Sequence, residues 1–181
     1  QAVYGSHPYG FEATEATLAN ISVADMQAAY VAQVQPCRAK VSIVGAVSKA
    51  QADTLVTTLL QYLPQSACSL LPSVGEVAAL PEAVDTRIAF DAAQAHVLVG
   101  QPGYKRDDPD FFPLLIGNHI LGGGGFTARL TNEVREKRGL TYSVYSGFSP
   151  GSHAGAFTMG LQTRPDQAAQ AVQVAKDVLA K

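Results

Sequence analysis

Four consecutive glycines, Gly122 to Gly125, stand between two stretches of helical pattern, and no other feature of the chain restricts its fold as sharply. A glycine inside a helix costs about 1 kcal/mol relative to alanine, so the run breaks a helix. Two uses remain for it: close approach of one backbone to another, or a movable hinge. Upstream, Asp107 or Asp108 is placed to cap a helix with Pro109 in its first turn, running to Leu121 with Phe112, Leu115, Ile116 and Ile120 along it. Downstream, Phe126 to about Lys137 reads as a charged helix, and a strand opens at Leu140, Thr141 and Tyr142.

The rest of the chain is punctuated by similar local signals. Gln1 to Phe11 is rich in Gly, Pro and Tyr and reads as a loop or linker. Glu12 to Asn20 suits a short helix. Ser22 with Asp25, and Ser48 with Gln51, resemble capping boxes opening helices that Pro36 and Pro64 end. Lys40 to Val47 is a predicted strand by its β-branched content, and Gln65 to Glu82 a long connection. Thr86 to Phe90 and Ala95 to Gly100 are predicted to pair antiparallel. Leu140 to Ser149 and Ala154 to Gln162 should form a hairpin around Pro150-Gly151, with Thr163 and Asp166 capping a last helix that reaches Lys181. The order β-α-β-β-α-α-β-β-α predicts an α+β two-layer sandwich, a mainly antiparallel sheet covered by helices on one face. Residues 1–36 are expected to form a linker and helix leading into a domain over 37–181, with the chain a fragment stopping inside its last helix.

Composition narrows the function classes. The chain is 181 residues, 47% hydrophobic and 15% charged, with net charge −2. That balance suits a globular core and favours neither nucleic acid nor an anionic membrane. No apolar run approaches the roughly 20 residues that span a bilayer. Two cysteines, Cys37 and Cys68, are too few for a disulfide scaffold and lack zinc-ligand spacing. They read either as unrelated thiols or as a bridge. A bridge implies an oxidising compartment, a periplasm, whereas free thiols leave the cytoplasm as the alternative.

Three motifs carry a family resemblance. LGGGGFTARL (Leu121 to Leu130), VREKRGLTYSVYS (Val134 to Ser146) and GLQT (Gly160 to Thr163), supported by YGSHPYG (Tyr4 to Gly10) and VSIVGAVS (Val41 to Ser48), resemble the pitrilysin/insulinase zinc metallopeptidases, which include the mitochondrial processing peptidase subunits. The resemblance covers nearly the whole chain, in one order. It implies the second, C-terminal domain of a two-domain architecture whose zinc site sits in the first domain on an inverted H-x-x-E-H motif. That motif does not occur here: His7, His96, His119 and His153 share no such spacing. No metal is therefore expected on this chain, and zinc is expected on the missing domain or a partner subunit. The chain alone should be inactive.

In the resembled family an arginine and a tyrosine, seven residues apart, face the zinc of the first domain. Here the pair is Arg135 and Tyr142, with Arg138 the competitor for the arginine role. A phenol can donate to a developing oxyanion and a guanidinium can clamp a carbonyl or carboxylate. The alternatives are a solvated helix end for Arg135 and a core-packing strand residue for Tyr142. Gly122, Gly123, Gly124, Gly125 and Phe126 resemble the glycine-rich, substrate-engaging loop of the non-catalytic processing-peptidase subunit; tight helix packing is the competing role. A phosphate loop is disfavoured, because G-x-x-x-x-G-K-[ST] is absent. The resemblance thus implies a peptide substrate and a zinc-bearing domain or subunit as partner, in a homo- or heterodimer. A non-enzymatic scaffold subunit of the same fold is the alternative, and an unrelated ligand-binding domain a distant third.

Overall fold

The computed structural model describes residues 2–65, 67–68 and 70–181. Ser66 and Ser69, in the expected connection, and Gln1, in the expected linker, lie outside the described residues. The chain divides into two compact units: Gln1–Phe11 with Val74–Lys181, and Glu12–Ser73.

The larger unit is built on a three-stranded antiparallel sheet. β1 (Ala95–Pro102) and β2 (Val144–Phe148) both pair with β3 (Ala156–Thr163), giving the order β1-β3-β2. Ala95 stands opposite Thr163 at one end of the β1–β3 pair and Pro102 opposite Ala156 at the other. Val144 faces Leu161 and Phe148 faces Phe157 across the hairpin. α4 (Phe111–Asn118) precedes the glycine run and α5 (Ala168–Leu179) ends the chain. α5 buries Ala171, Ala175 and Val178, a spacing that puts all three on one helical face. They join Leu130, Val134, Leu140, Val144, Phe157, Met159 and Leu161 in one apolar core. The fold is α+β, with an antiparallel sheet and helices, as its pattern predicts.

The N-terminal segment is tied down locally. His7 Nδ1 accepts from Tyr9 N at 3.1 Å, and Nε2 lies 3.0 Å from the Gly75 carbonyl, so the ring carries its proton on Nε2. Tyr9 Oη accepts from His153 N at 3.3 Å.

The second unit carries α1 (Glu15–Ala19), α2 (Val23–Gln33) and α3 (Lys49–Leu60). Both predicted capping boxes are present: Ser22 Oγ accepts from Asp25 N, Ser48 Oγ accepts from Gln51 N, and each partner side chain returns the bond to the cap N–H. Cys37 and Cys68 form a disulfide, with Cα atoms 6.3 Å apart, inside the usual bridging range.

Several expectations are corrected. Lys40 to Val47 forms no strand. A bend at Gly45, whose φ is 156°, closes Val47 N onto Gly45 O at 2.9 Å and interrupts the run, and Val44 is fully exposed. β-Branched residues favour strands mainly through packing on neighbours, and here that packing is missing. Thr86 to Phe90 forms no strand, and Ile88 and Phe90 are exposed; β1 takes β3 as its partner instead. Neither Asp107 nor Asp108 caps α4. Its first residue is Phe111, Pro109 lies ahead of it, and the Asp108 carboxylate accepts from Asp110 N at 2.9 Å. Thr163 and Asp166 do not cap α5 either. The Thr163 hydroxyl donates to Leu140 O, Asp166 pairs with Arg164 at 2.9 Å, and a short 3₁₀ turn, Pro165–Gln167, leads into the helix.

Candidate functional site

The glycine run is where α4 changes character. Beyond Asn118 the chain widens into a π-helical turn, His119–Gly123, then tightens into a 3₁₀ turn, Gly125–Thr127. Gly122 is buried, and a Cβ there would meet Ser146 N at 2.6 Å and Leu130 Cδ1 at 2.7 Å. Close approach to β2 is what that position demands. Asn118 fastens the same junction: its Oδ1 accepts from Ser146 Oγ at 2.7 Å and its Nδ2 donates to Ser146 O at 3.3 Å. Gly125 is different. Nothing lies near its missing Cβ, but its φ is +63°, a backbone state that L side chains rarely adopt. It turns the chain so that the next residue, Phe126, is presented with 76% of its surface exposed.

The helix after the run is also wide. Thr131–Glu136 is π-helical, closed by Lys137 N on Asn132 O at 3.0 Å, a spacing of five residues. Such turns are rare and concentrate at functional sites. This one buries Thr131 and Val134 and carries Arg135. Gly139, at φ +59°, reverses the chain, and Tyr142 follows on a bend before β2 rather than within a strand.

Two threonines fix that bend. Thr141 Oγ1 lies 2.5 Å from Gln162 O and 2.7 Å from Ser143 O, and it accepts from Ser143 N at 3.2 Å. Thr163 Oγ1 donates to Leu140 O at 2.5 Å. Leu140 and Thr141 are thereby held inward against β3, while Tyr142 projects with 81% of its surface exposed. Tyr142 is therefore not a core-packing residue.

These elements bring three of the predicted residues together. The Arg135 guanidinium carbon stands 5.0 Å from the Phe126 ring centre and 5.3 Å from that of Tyr142. Both distances fall within cation–π range, worth about 0.5–1 kcal/mol each at exposed sites. The one ion pair of Arg135 among the described residues is with Glu136, at 3.3 Å. Arg138 is occupied elsewhere: its Nη1 donates to Glu133 O and to Glu133 Oε2, both at 2.7 Å. Lys137 Nζ meets the other Glu133 oxygen at 2.5 Å. These two cations, Lys137 first, hold the Glu133 carboxyl down at about 2. Arg138 also lines an open depression of about 320 Å³ with Thr127, Asn132, Asp177 and Val178, which neither Arg135 nor Tyr142 borders. Geometry thus separates the two arginines. Of the glycines, Gly122 is committed to packing, and Gly123 to Gly125 lead into the aromatic–guanidinium cluster.

The anchoring roles of Thr141, Thr163 and Glu133 have no signature in spacing or composition, because each depends on a partner brought in by the fold. Among the described residues, no group of three His, Cys, Asp or Glu side chains is arranged to hold a metal ion. Among the same residues, no helix is long and apolar enough to cross a membrane.

Residues 20–181 match the family described as the peptidase M16 inactive domain. An uncharacterized zinc protease of Mycobacterium bovis is 31% identical over 98% of this chain and 41% of its own length. One from Streptomyces coelicolor is 43% identical over 48% of this chain and 18% of its own. A crystal structure of a peptidase M16 inactive domain from Pseudomonas fluorescens superposes with a TM-score of 0.91 at 36% identity, covering 98% of this chain and 43% of that one. A Helicobacter pylori protease, at 18% identity and a TM-score of 0.73 over 92% of this chain and 40% of its own, shares the fold. The M. bovis relative and both solved chains are thus covered over about two fifths of their length.

Proposed function

The chain belongs to the peptidase M16 inactive-domain family, and from that membership we propose that it supplies the metal-free half of a peptide-hydrolysing assembly. In this reading a zinc-bearing domain or subunit of the same family completes the site, as a homo- or heterodimer or within a longer chain. Arg135 and Tyr142 handle the peptide. The Tyr142 phenol donates a hydrogen bond to the carbonyl oxygen as negative charge develops on it, and the Arg135 guanidinium holds a neighbouring carbonyl or carboxylate. Gly123 to Gly125 and Phe126 border the same substrate path.

One observation carries the reading. Arg135 lies against Tyr142, and the phenol is solvent-facing instead of buried in the core. The Cys37–Cys68 disulfide supports a periplasmic setting, since such bridges persist in oxidising compartments.

The test is a mixing experiment. The chain is combined with its zinc-bearing partner, and peptide turnover is compared before and after Tyr142→Phe. Loss of a single oxyanion donor lowers kcat on the order of 10²-fold. Unchanged turnover would leave a non-enzymatic scaffold role in its place.

A further inference from the structure

Phe126 presents a puzzle of economy. A side chain with 76% of its surface exposed gains little from burial, yet the chain adopts a left-handed glycine immediately before it to put it there. What the ring does have is the Arg135 guanidinium, 5.0 Å from its centre. Arg135 reaches that place on a long side chain with several rotatable bonds. Its ionic partner, Glu136, sits at 3.3 Å and is itself 54% exposed, a weak tether in water. Two rings, Phe126 and Tyr142, lie within cation–π distance of the same cation.

Stacking also has a directional consequence. A guanidinium engages an aromatic ring through its flat face and donates hydrogen bonds from its edge. Rings therefore fix its plane while leaving the N–H fork open to an oxygen ligand. We propose that Phe126 is a positioning residue: placed by Gly125, it sets the plane of the Arg135 guanidinium beside Tyr142 so that the fork stays available for a substrate oxygen. The role in substrate handling rests on the peptide reading above; the positioning of Arg135 does not.

Two measurements separate these. In the chain alone, the Arg135 Nε–Hε resonance, assigned by its loss in Arg135→Lys, reports the ring directly. Phe126→Leu should reduce its upfield ring-current displacement to the share left by Tyr142, and Phe126→Tyr should retain it. With the zinc-bearing partner added, Phe126→Leu should lower kcat/KM about two- to fivefold, the loss of one exposed cation–π contact, and Phe126→Tyr should restore it. A resonance that does not move in Phe126→Leu overturns the positioning role, whatever turnover does. A displaced resonance with unchanged turnover supports the positioning and counts against the peptide reading instead. Because the ring is mostly exposed, the remainder of the spectrum should be preserved in both variants, which guards against misreading a folding defect.

Discussion

Arg135 and Tyr142, seven residues apart in sequence, lie with guanidinium carbon and ring centre 5.3 Å apart, although one belongs to a π-helical turn and the other to the bend after it. That proximity depends on Gly139 reversing the chain and on Thr141 and Thr163 anchoring the bend to β3 and Leu140. It gives the two arginines of the segment different fates.

Arg135→Ala should lower kcat/KM for peptide turnover, measured with the zinc-bearing partner, by roughly 10- to 100-fold, as for loss of a charge-assisted hydrogen bond. Arg138→Ala should stay within about fivefold, since it removes only a partly exposed tie to Glu133. Equal losses from the two would remove the distinction drawn between them.

Gly122→Ala should destabilise the chain by about 1–3 kcal/mol, because the added methyl would run into Ser146 and Leu130. Thermal unfolding reads this as a Tm lowered by several degrees. Gly117→Ala, in α4 with open space around its Cβ, is the control: it should raise stability by about 0.5–1 kcal/mol.

The Glu133 carboxyl sits at about 2 in the folded chain, against an ordinary value of 4.5. A depressed carboxylate contributes stability that is fully present above its unfolded value and disappears as pH falls through its folded one. Unfolding midpoints should therefore decline between pH 4.5 and about 2, in part through this group. Glu133→Gln should flatten that decline and leave the pH dependence from 5 to 8 unaltered. Denaturant unfolding across the acid range decides it, and an unchanged acid limb would exclude the Glu133 cluster as its source.

Tyr104 is 6% exposed and packs on Phe111 and Phe148, and among the described residues its hydroxyl has no hydrogen-bond partner. Burial, with Asp108 nearby, pushes its pKa up. Tyr104→Phe removes an unpaired buried polar group and should raise stability by about 1 kcal/mol, seen as a Tm gain of about 2–4 °C. A lower Tm would mean that the hydroxyl is satisfied by a bound water.

Signals that act over a few residues were legible in the chain. The Ser22 and Ser48 caps needed only a partner three residues on, and the β2–β3 hairpin announced itself by Pro150-Gly151 between apolar runs. Features that depend on a distant partner were not. The Lys40 to Val47 run has strand composition, but composition reports a preference for packed neighbours and cannot supply them. The caps assigned to Thr163 and Asp166 failed because Thr163 ends β3, its hydroxyl tied to Leu140 O from 23 residues away, and Asp166 lies within the 3₁₀ turn that precedes α5. At the candidate site, the family pattern named Arg135 and Tyr142. The wide turn carrying Arg135 was invisible, since five- and four-residue closures use the same side chains.

The five-residue closure of Thr131–Glu136 has an implication for how the chain tolerates length changes. Residues in ordinary helix advance by about 100° each around the axis. The wide turn holds about one residue more than an ordinary turn, so excising one residue would let the coil relax to its usual pitch with the chain beyond it keeping its place, whereas one residue added would swing that chain by about this angle. This short stretch should thus tolerate the loss of one residue better than the gain of one.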